Sequence, residues 1–248
     1  MSPSLSPRLC VVIPVYNHAL TVGRVIRGAR AAFPVVVIDD GSTDGTAAEI
    51  AAQTAINVLT FPRNSGKGAA LQAGFDRARH LGFTHAITLD ADGQHSLESL
   101  GEFAALCRRR PEALLIGVRD LKKERAPWVR RVINALSTFW FRTETGIRLA
   151  DTECGHRCYP LAAIEGLPVK AGRYAYELEL MVKAAWAGVP LVPMAVESDY
   201  ASATSRLSHF RPLRDLLGAC LTHGRLSVCA LWVPAPRRKL SVQEIHGG

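Results

Sequence analysis

Val35-Val36-Val37-Ile38-Asp39-Asp40-Gly41-Ser42 decides the fold: four β-branched apolar residues run straight into two carboxylates and a turn. A short apolar run bounded by Asp and Gly is the pattern of a strand buried on both faces. Beyond the turn, Ala47, Ile50, Ala51 and Thr54 recur at helical spacing. The alternation continues on both sides. Upstream, Leu9 to Ile13 reads as a strand ended by Pro14. Downstream, Ile56 to Phe61, His85 to Leu89 and Ala113 to Val118 read as strands. Between them, Leu71, Gly74, Phe75 and Ala78 mark one helical face, and Leu97, Leu100, Ala104 and Cys107 another. Strands separated by crossover helices predict an α/β fold with a doubly wound, mostly parallel, Rossmann-like sheet flanked by helices.

In such sheets ligands bind beyond the carboxyl ends of the strands. The polar clusters fall there: Tyr16-Asn17-His18, Asp39-Asp40, Arg63-Asn64 and Asp90-Ala91-Asp92. Four strand ends therefore converge on one rim. Asp90 and Asp92, flanking a small residue, can share a hard divalent cation such as Mg²⁺ or Mn²⁺ that bridges diphosphate oxygens, with Gln94 near enough to complete the polar shell. The plainer alternative is a strand-to-loop turn. Asp39 or Asp40 suits a ribose hydroxyl or a base edge, while Ser42 or Thr43 caps the following helix. Arg63-Asn64-Ser65-Gly66-Lys67-Gly68 lacks the upstream glycine and the Ser or Thr after lysine that a P-loop requires, which argues against ATP hydrolysis. Lys67 at a helix start could still contact a diphosphate, or be a solvated loop lysine.

The second half is less regular. Lys122 to Arg131 is basic, and Pro127 marks a helix start. Val129, Val132, Ile133, Leu136 and Phe139 or Trp140 form one apolar helical stripe; Leu178, Met181, Val182 and Ala185 form another. Val189 to Val196, split by Pro190 and Pro193, reads as an edge strand. Arg119, Arg130 and Arg131 suit phosphate binding, or form an ordinary solvated charge run. Asp151 is a candidate general base, or a turn residue. Arg206, His209 and Arg211 form a late basic cluster that could close over phosphates. Leu213, Leu216, Leu217 and Leu221 recur near helical spacing among arginines, a pattern that fits either core packing or a bilayer interface.

The chain has 248 residues, 48% of them hydrophobic, enough for a sizeable core. No apolar run is long enough to span a bilayer, and Met1 to Arg8 lacks the regions of a signal peptide, so a cytoplasmic location is expected. The six cysteines are scattered, and reduced thiols are the default. A net charge of +8, from 30 basic and 22 acidic residues, favours phosphate partners: nucleotide, lipid phosphate or anionic membrane. No aromatic-basic module points to nucleic acid.

Taken together, Val12-Ile13-Pro14-Val15-Tyr16-Asn17, Val37 to Thr46, Asn64 to Gly68, Leu89-Asp90-Ala91-Asp92-Gly93-Gln94-His95 and Asp151 to Arg157 resemble the family 2 glycosyltransferases of the GT-A fold. The resemblance is to their polyprenyl-phosphate, dolichol-phosphate mannose synthase-like branch. It covers residues 8–210, leaving 211–248 as a basic amphipathic extension and loose tail. It implies an enzyme that moves a sugar, with inversion, from a GDP- or UDP-sugar to a lipid-linked acceptor such as polyprenyl phosphate. The implied nucleotide-sugar residues are Pro14, Tyr16, Asn17, Asp39, Asp40, Lys67, Asp90 and Arg206. Asp90, Asp92 and Gln94 are the implied metal ligands, with Mg²⁺ or Mn²⁺ as cofactor. Asp92, Asp151, Arg119 and Arg131 are the implied catalytic set, the two arginines meeting a phosphate and Asp151 lying on the acceptor side. The membrane helices of many such transferases are missing here, so a peripheral place on the inner face of the cytoplasmic membrane is implied. Transfer to a hydroxyl acceptor and a non-catalytic nucleotide-sugar-binding module are the alternatives. A nucleotidyltransferase would need a Gly-rich N-terminal loop that Pro14-Val15-Tyr16-Asn17-His18 does not supply.

Overall fold

The computed structural model describes residues 6–94, 96–124, 126–198 and 212–233. In chain order the elements are β1 (Leu9–Val15), α1 (Val22–Arg30), β2 (Val35–Asp39), α2 (Thr46–Ala51), β3 (Asn57–Thr60), α3 (Lys67–His80) and β4 (His85–Thr88). They continue with α4 (Ser99–Arg109), β5 (Leu114–Val118), α5 (Trp128–Thr145), β6 (Arg157–Pro160), α6 (Leu161–Ile164), α7 (Ala175–Trp186), β7 (Leu191–Ala195) and α8 (Pro212–Ala230). Among the described residues, seven strands form one sheet in the order β3-β2-β1-β4-β6-β5-β7. The pairs β1–β2, β1–β4, β2–β3 and β5–β7 are parallel. β6 runs antiparallel to β4 and β5, so the sheet is mixed where the repeating first half breaks off.

That reversal places the site. Thr88, the last residue of β4, pairs with Arg157, the first residue of β6. The segment leading into β6 therefore arrives at the same rim from which β1, β2 and β4 depart. β7 is the edge strand its prolines predict, with Pro193 opposite Ile116 of β5.

One strand boundary differs from expectation: β1 does not stop before Pro14 but continues to Val15. Val11 and Val15 bond towards β2, through Pro34 and Asp40, whereas Val12 accepts from Leu89 on the β4 side. By alternation the nitrogen of Pro14 faces the β4 side, beyond the last β1–β4 pair at Val12 and Thr88. Its missing N–H costs no ladder bond.

Strand periodicity divides the core in two. Cys10, Val12, Val36, Ile38, Leu114 and Ile116 face a cluster with α3 and α7. Val11, Ile13, Val35, Val37 and Leu115 face α1 and α4 on the other side. A methyl at Gly74 would lie 2.6 Å from Val12 and 2.7 Å from Ile38, so the glycine is what lets α3 lie close on the sheet. α8 packs against α5 and α7. Its Leu226 and Ala230 are buried, and His223 Nδ1 lies 2.9 Å from the buried carboxylate of Glu144. The described part of 211–248 is thus docked on the body. Of the leucine stripe there, Leu221 faces solvent, and the side chains of Leu213, Leu216 and Leu217 lie outside the described residues.

Candidate active site at the carboxyl rim

The rim is built first from loops that bind one another. Asn17 has a left-handed backbone (φ 55°), which asparagine tolerates better than most residues. Its N–H donates to Ser42 Oγ at 3.0 Å, and its Oδ1 accepts from the Thr43 N–H at 2.7 Å. Asp39 accepts from the Ser42 N–H at 3.0 Å. The buried Asp40 carboxylate accepts from the N–H groups of Ser65 at 2.7 Å and Gly66 at 2.8 Å, and from Asn64 Nδ2 at 3.1 Å. Burial raises its pKa, although the two backbone donors work against that shift. Gly41, at φ 68°, makes the turn, and a methyl on it would sit 2.5 Å from the Arg63 backbone.

At the centre, Lys67 opens α3. Its Nζ lies 2.7 Å from Asp90 Oδ1 and 2.9 Å from Glu177 Oε2, 5.7 Å from the centroid of the Tyr174 ring. Burial disfavours this ammonium, but the two carboxylates outweigh it and hold the pKa well above the usual lysine value. Asp92 is pushed up to about 6, first by burial and then by the negative charge of Asp90. The buried Gln94 side chain leaves Nε2 without a hydrogen-bond partner among the described residues. Asp90, Asp92 and Gln94 are therefore oxygen donors that could hold a hard cation, and a cation would relieve the repulsion between the carboxylates. Among the described residues no group of three or more His, Cys, Asp or Glu side chains is placed to hold a metal ion. A methyl at Gly155 would lie 2.8 Å from Lys67 Nζ and 3.1 Å from Asp90, so the segment before β6 presses directly on this centre.

That segment is held by buried charge. Arg119 Nε donates to Asp151 Oδ2 at 2.6 Å and its Nη2 to Oδ1 at 3.1 Å, a two-pronged pair with Asp151 fully buried. Burial would raise the Asp151 pKa, yet Arg119 holds it below the usual carboxylate value. Arg157, also buried, donates to the carbonyls of Cys154, Glu177 and Thr152 at 2.8, 2.9 and 2.8 Å. The ring nitrogens of His156 lie 2.7 Å from the Thr88 carbonyl and 2.8 Å from Ser99 Oγ, and burial pushes its pKa down to about 4.

Two clefts meet at the centre. One, of about 280 Å³, is lined by Pro14, Tyr16, His18, Asp40, Asn64 and Arg173, together with Lys67, Asp90, Asp92 and Tyr174. The other, of about 130 Å³, shares those last four residues and adds Gln94, Arg119, Arg130, Ile133, Arg157 and Glu177. Residues 10–165 match the sequence model of the family described as Glycosyl transferase family 2. The chain belongs to that family.

The curated relatives of this glycosyltransferase include the polyprenol monophosphomannose synthase of Mycolicibacterium smegmatis, 28% identical over 203 residues, which are 76% of this chain and 76% of that protein. The undecaprenyl-phosphate mannosyltransferase of Micrococcus luteus is 29% identical over 203 residues, 76% of this chain and 82% of that one. Among solved structures, S. aureus TarS 1-349 in complex with UDP-GlcNAc superposes with a TM-score of 0.59 at 17% identity, covering 92% of this chain and 67% of that one. Its complex with UDP gives 0.52 at 18% identity, covering 73% and 54%, so the transferase spans between about half and two thirds of those chains. At such identity the likeness shows the fold, which is GT-A.

The residues expected from sequence divide by position. Pro14, Tyr16, Asp40, Lys67, Asp90 and Asp92 line the first cleft of the transferase. Asn17 and Asp39 stand behind it, holding loops. Gln94 and Arg119 line the second cleft. Asp151 is engaged by Arg119. Arg131 lines neither cleft but a wider groove of about 1100 Å³ beside α5. Its neighbour Arg130 takes the place in the second cleft. Arg206 lies outside the described residues, as do His209 and Arg211. Glu177, Arg173 and Tyr174 were not anticipated. Glu177 does carry a signal: it lies four residues before Met181, in line with the apolar stripe of α7, where an acid needs a partner.

Proposed function

We propose that this glycosyltransferase moves a sugar, with inversion, from a GDP- or UDP-sugar to a lipid phosphate of the polyprenyl class. The observation that carries this reading is the meeting of the two clefts at Lys67, Asp90, Asp92 and Tyr174. One side is walled by Pro14, Tyr16, Asn64 and Asp40 with Arg173 beside them, suited to a nucleoside and its phosphates. The other is walled by Arg119 and Arg130, suited to an anion. The named activities of the mycobacterial and micrococcal relatives, on polyprenol and undecaprenyl phosphate, support the acceptor class.

In this reading Pro14, Tyr16 and Asp40 line the nucleoside end, with Asn17 and Asp39 keeping their loops in place. Asp90 and Asp92, with Gln94 beside them, would hold Mg²⁺ or Mn²⁺. When bound, such an ion neutralises the charge growing on the leaving diphosphate. Lys67 adds a fixed positive charge at the same centre and holds Asp90 in one orientation. Arg119 and Arg130 draw the acceptor phosphate towards the anomeric carbon from the opposite cleft. A phosphate acceptor is already an anion, so no side chain has to remove a proton. Asp151, occupied by Arg119 and held in its charged form, serves to aim that arginine. Arg206 remains a candidate for the donor diphosphate. The acceptor places the enzyme on the membrane surface, and among the described residues no helix is long and apolar enough to cross a membrane.

The test is a matrix of GDP- and UDP-sugars with Mg²⁺ or Mn²⁺, with and without polyprenyl phosphate. The expected product is a lipid-linked sugar phosphate. Transfer confined to hydroxyl acceptors would replace the acceptor class. Calorimetric donor binding with no turnover on any acceptor would reduce the protein to a binding module.

A further inference from the structure

α5 has two faces, and the apolar one points away from the protein. Asn134, Ser137, Phe141 and Glu144 turn inwards. Asn134 ties the helix to the segment before β6, donating to the Ala150 carbonyl at 2.8 Å and accepting from the Thr152 N–H at 3.1 Å. Trp128, Val132 and Phe139 turn outwards and are 67, 56 and 60% exposed. The stripe is the apolar helical pattern visible in the sequence, but it does not build the core. Of the twelve large hydrophobic residues that stand exposed among the described residues, nine lie on α5 or on α8 and the turn after it. Scattered exposed hydrophobics need no explanation, whereas a concentration on two packed helices does.

What surrounds the stripe selects its partner. Arg131 and Arg142, both exposed, flank it on one side of the helix, and Lys122 and Lys123 stand exposed just ahead. The chain carries a net charge of +8. A second copy would bring like charges together around the apolar centre, whereas an anionic lipid surface complements both the rim and the stripe. Exposed tryptophans, Trp128 on α5 and Trp232 after α8, suit the headgroup boundary. The inner side of the same helix sends Arg130 and Ile133 into the second cleft.

We propose that the outer face of α5, with the end of α8, docks on an anionic bilayer as an interfacial amphipathic surface and brings the Arg119–Arg130 cleft to headgroup level. The purpose of the docking rests on the lipid-phosphate reading above; the docking itself does not. Arg131, exposed in the wider groove beside α5 that Arg119 also lines, then stands at the edge of the membrane contact.

The experiment uses the full chain and vesicles of phosphatidylcholine with or without phosphatidylglycerol. Wild-type protein is expected to float with the anionic vesicles at low salt and to be released as salt rises. The double variant Val132→Glu/Phe139→Glu is expected to lose at least about tenfold in vesicle affinity. Val58→Glu, an exposed apolar site on β3, is expected to bind as wild type. Transfer to a long-chain polyprenyl phosphate in vesicles should fall with vesicle affinity, while transfer to a short, water-soluble polyprenyl phosphate stays at the wild-type rate and shows that the double variant is folded. Undiminished flotation of the double variant would overturn the proposal. So would a wild-type dimer that the double variant splits, in a protein that ignores vesicles. Absence of transfer to either acceptor by the wild type would count against the acceptor reading, with flotation still deciding the docking.

Discussion

The loops that leave β1, β2 and β3 and the segments that lead into β6 and α7 meet at Lys67, but they are built by different means. On the first side, carboxylates and an asparagine bind backbone N–H groups: Asp39 takes Ser42, Asp40 takes Ser65 and Gly66, and Asn17 takes Thr43. Asp39 bonds three residues along the chain, while Asp40 and Asn17 reach 25 or 26 residues, from the loop after one strand to the loop after the next in a regular β-α repeat. On the second side, buried ions hold one another or backbone carbonyls: Arg119 with Asp151, Arg157 with three carbonyls, Lys67 with Glu177. The first construction tolerates loss of a single bond. The second leaves an uncompensated charge in the interior when one partner goes. The donor side is therefore expected to respond to substitution chiefly in catalysis, and the acceptor side in both catalysis and folding.

The largest effect should come from the carboxylates where the two sides touch. Asp92→Ala removes a proposed ligand for the ion and a charge that acts on Asp90. Transfer should drop about 10³-fold or more, with unfolding stability unchanged or higher because a half-buried, repelled carboxylate is gone. Transfer rates with saturating Mg²⁺ or Mn²⁺ and a urea titration measure the two halves of that claim. Near-wild-type transfer would remove Asp92 from the chemistry.

Next in size is Asp151→Asn. Arg119 would keep a hydrogen-bond partner but lose its counter-charge in a buried setting, a change worth about 3–5 kcal/mol when such a pair is broken. Stability should fall, and kcat/KM should drop about 100-fold, mostly through the acceptor KM. A fall in kcat alone, with acceptor KM and stability intact, would instead mark Asp151 as a proton acceptor and reopen transfer to a hydroxyl.

How far each side can be read from sequence follows from the same contrast. Strand ends such as Ile38-Asp39-Asp40 and Leu89-Asp90 announce themselves, because an apolar run that stops at a carboxylate has a physical meaning at that spot. Even there, which carboxylate lines the cleft depended on the pleat: Asp40 lines it while also binding the loop of Ser65 and Gly66, and Asp39 binds its own turn. On the second side the contacts follow no repeating β-α pattern that would announce them. Arg119 and Asp151 are 32 residues apart. One position along α5 separates Arg130 in the cleft from Arg131 outside it, a rotation of about 100°. The antiparallel entry of β6, which brings Gly155 and Arg157 to the rim, has no signature in periodicity. The apolar stripe of α5 was visible, but a stripe shows only that one face is apolar; that it faces outwards came from the polar residues opposite it.

The pH response should separate the two sides by a smaller margin. His156, between Thr88 and Ser99, has its pKa lowered by burial to about 4 from the ordinary histidine value of about 6.5. The unfolded chain therefore takes up this proton at a higher pH than the folded one. The stability it confers is complete above about pH 6.5 and is lost as pH falls towards 4. By pH 5 the loss is about 2 kcal/mol. Urea unfolding at pH 7 and pH 5 should show a drop in the wild type larger by about that amount than in His156→Gln. Equal drops in both proteins would assign the acid sensitivity to other groups.

The smallest expected effect concerns Glu177, and it tests whether the two constructions are coupled at all. Glu177 and Asp90 flank Lys67 from opposite sides of the site, one from α7 and one from the β4 end. Its second oxygen, Oε1, has no hydrogen-bond partner among the described residues, so the side chain is committed to Lys67 alone. Glu177→Gln keeps the shape and a hydrogen-bond acceptor but removes one negative charge. Lys67 should then lean on Asp90, drawing that carboxylate away from its partner Asp92. The expected result is a fall of about tenfold in kcat, with acceptor KM and stability close to wild type. That split is the reverse of the one expected for Asp151→Asn, although both residues belong to the acceptor side. If both variants instead shift KM and stability together, Lys67 is a structural pin of the second side. If they diverge as expected, Lys67 is the point through which α7 controls the geometry of the carboxylates on β4.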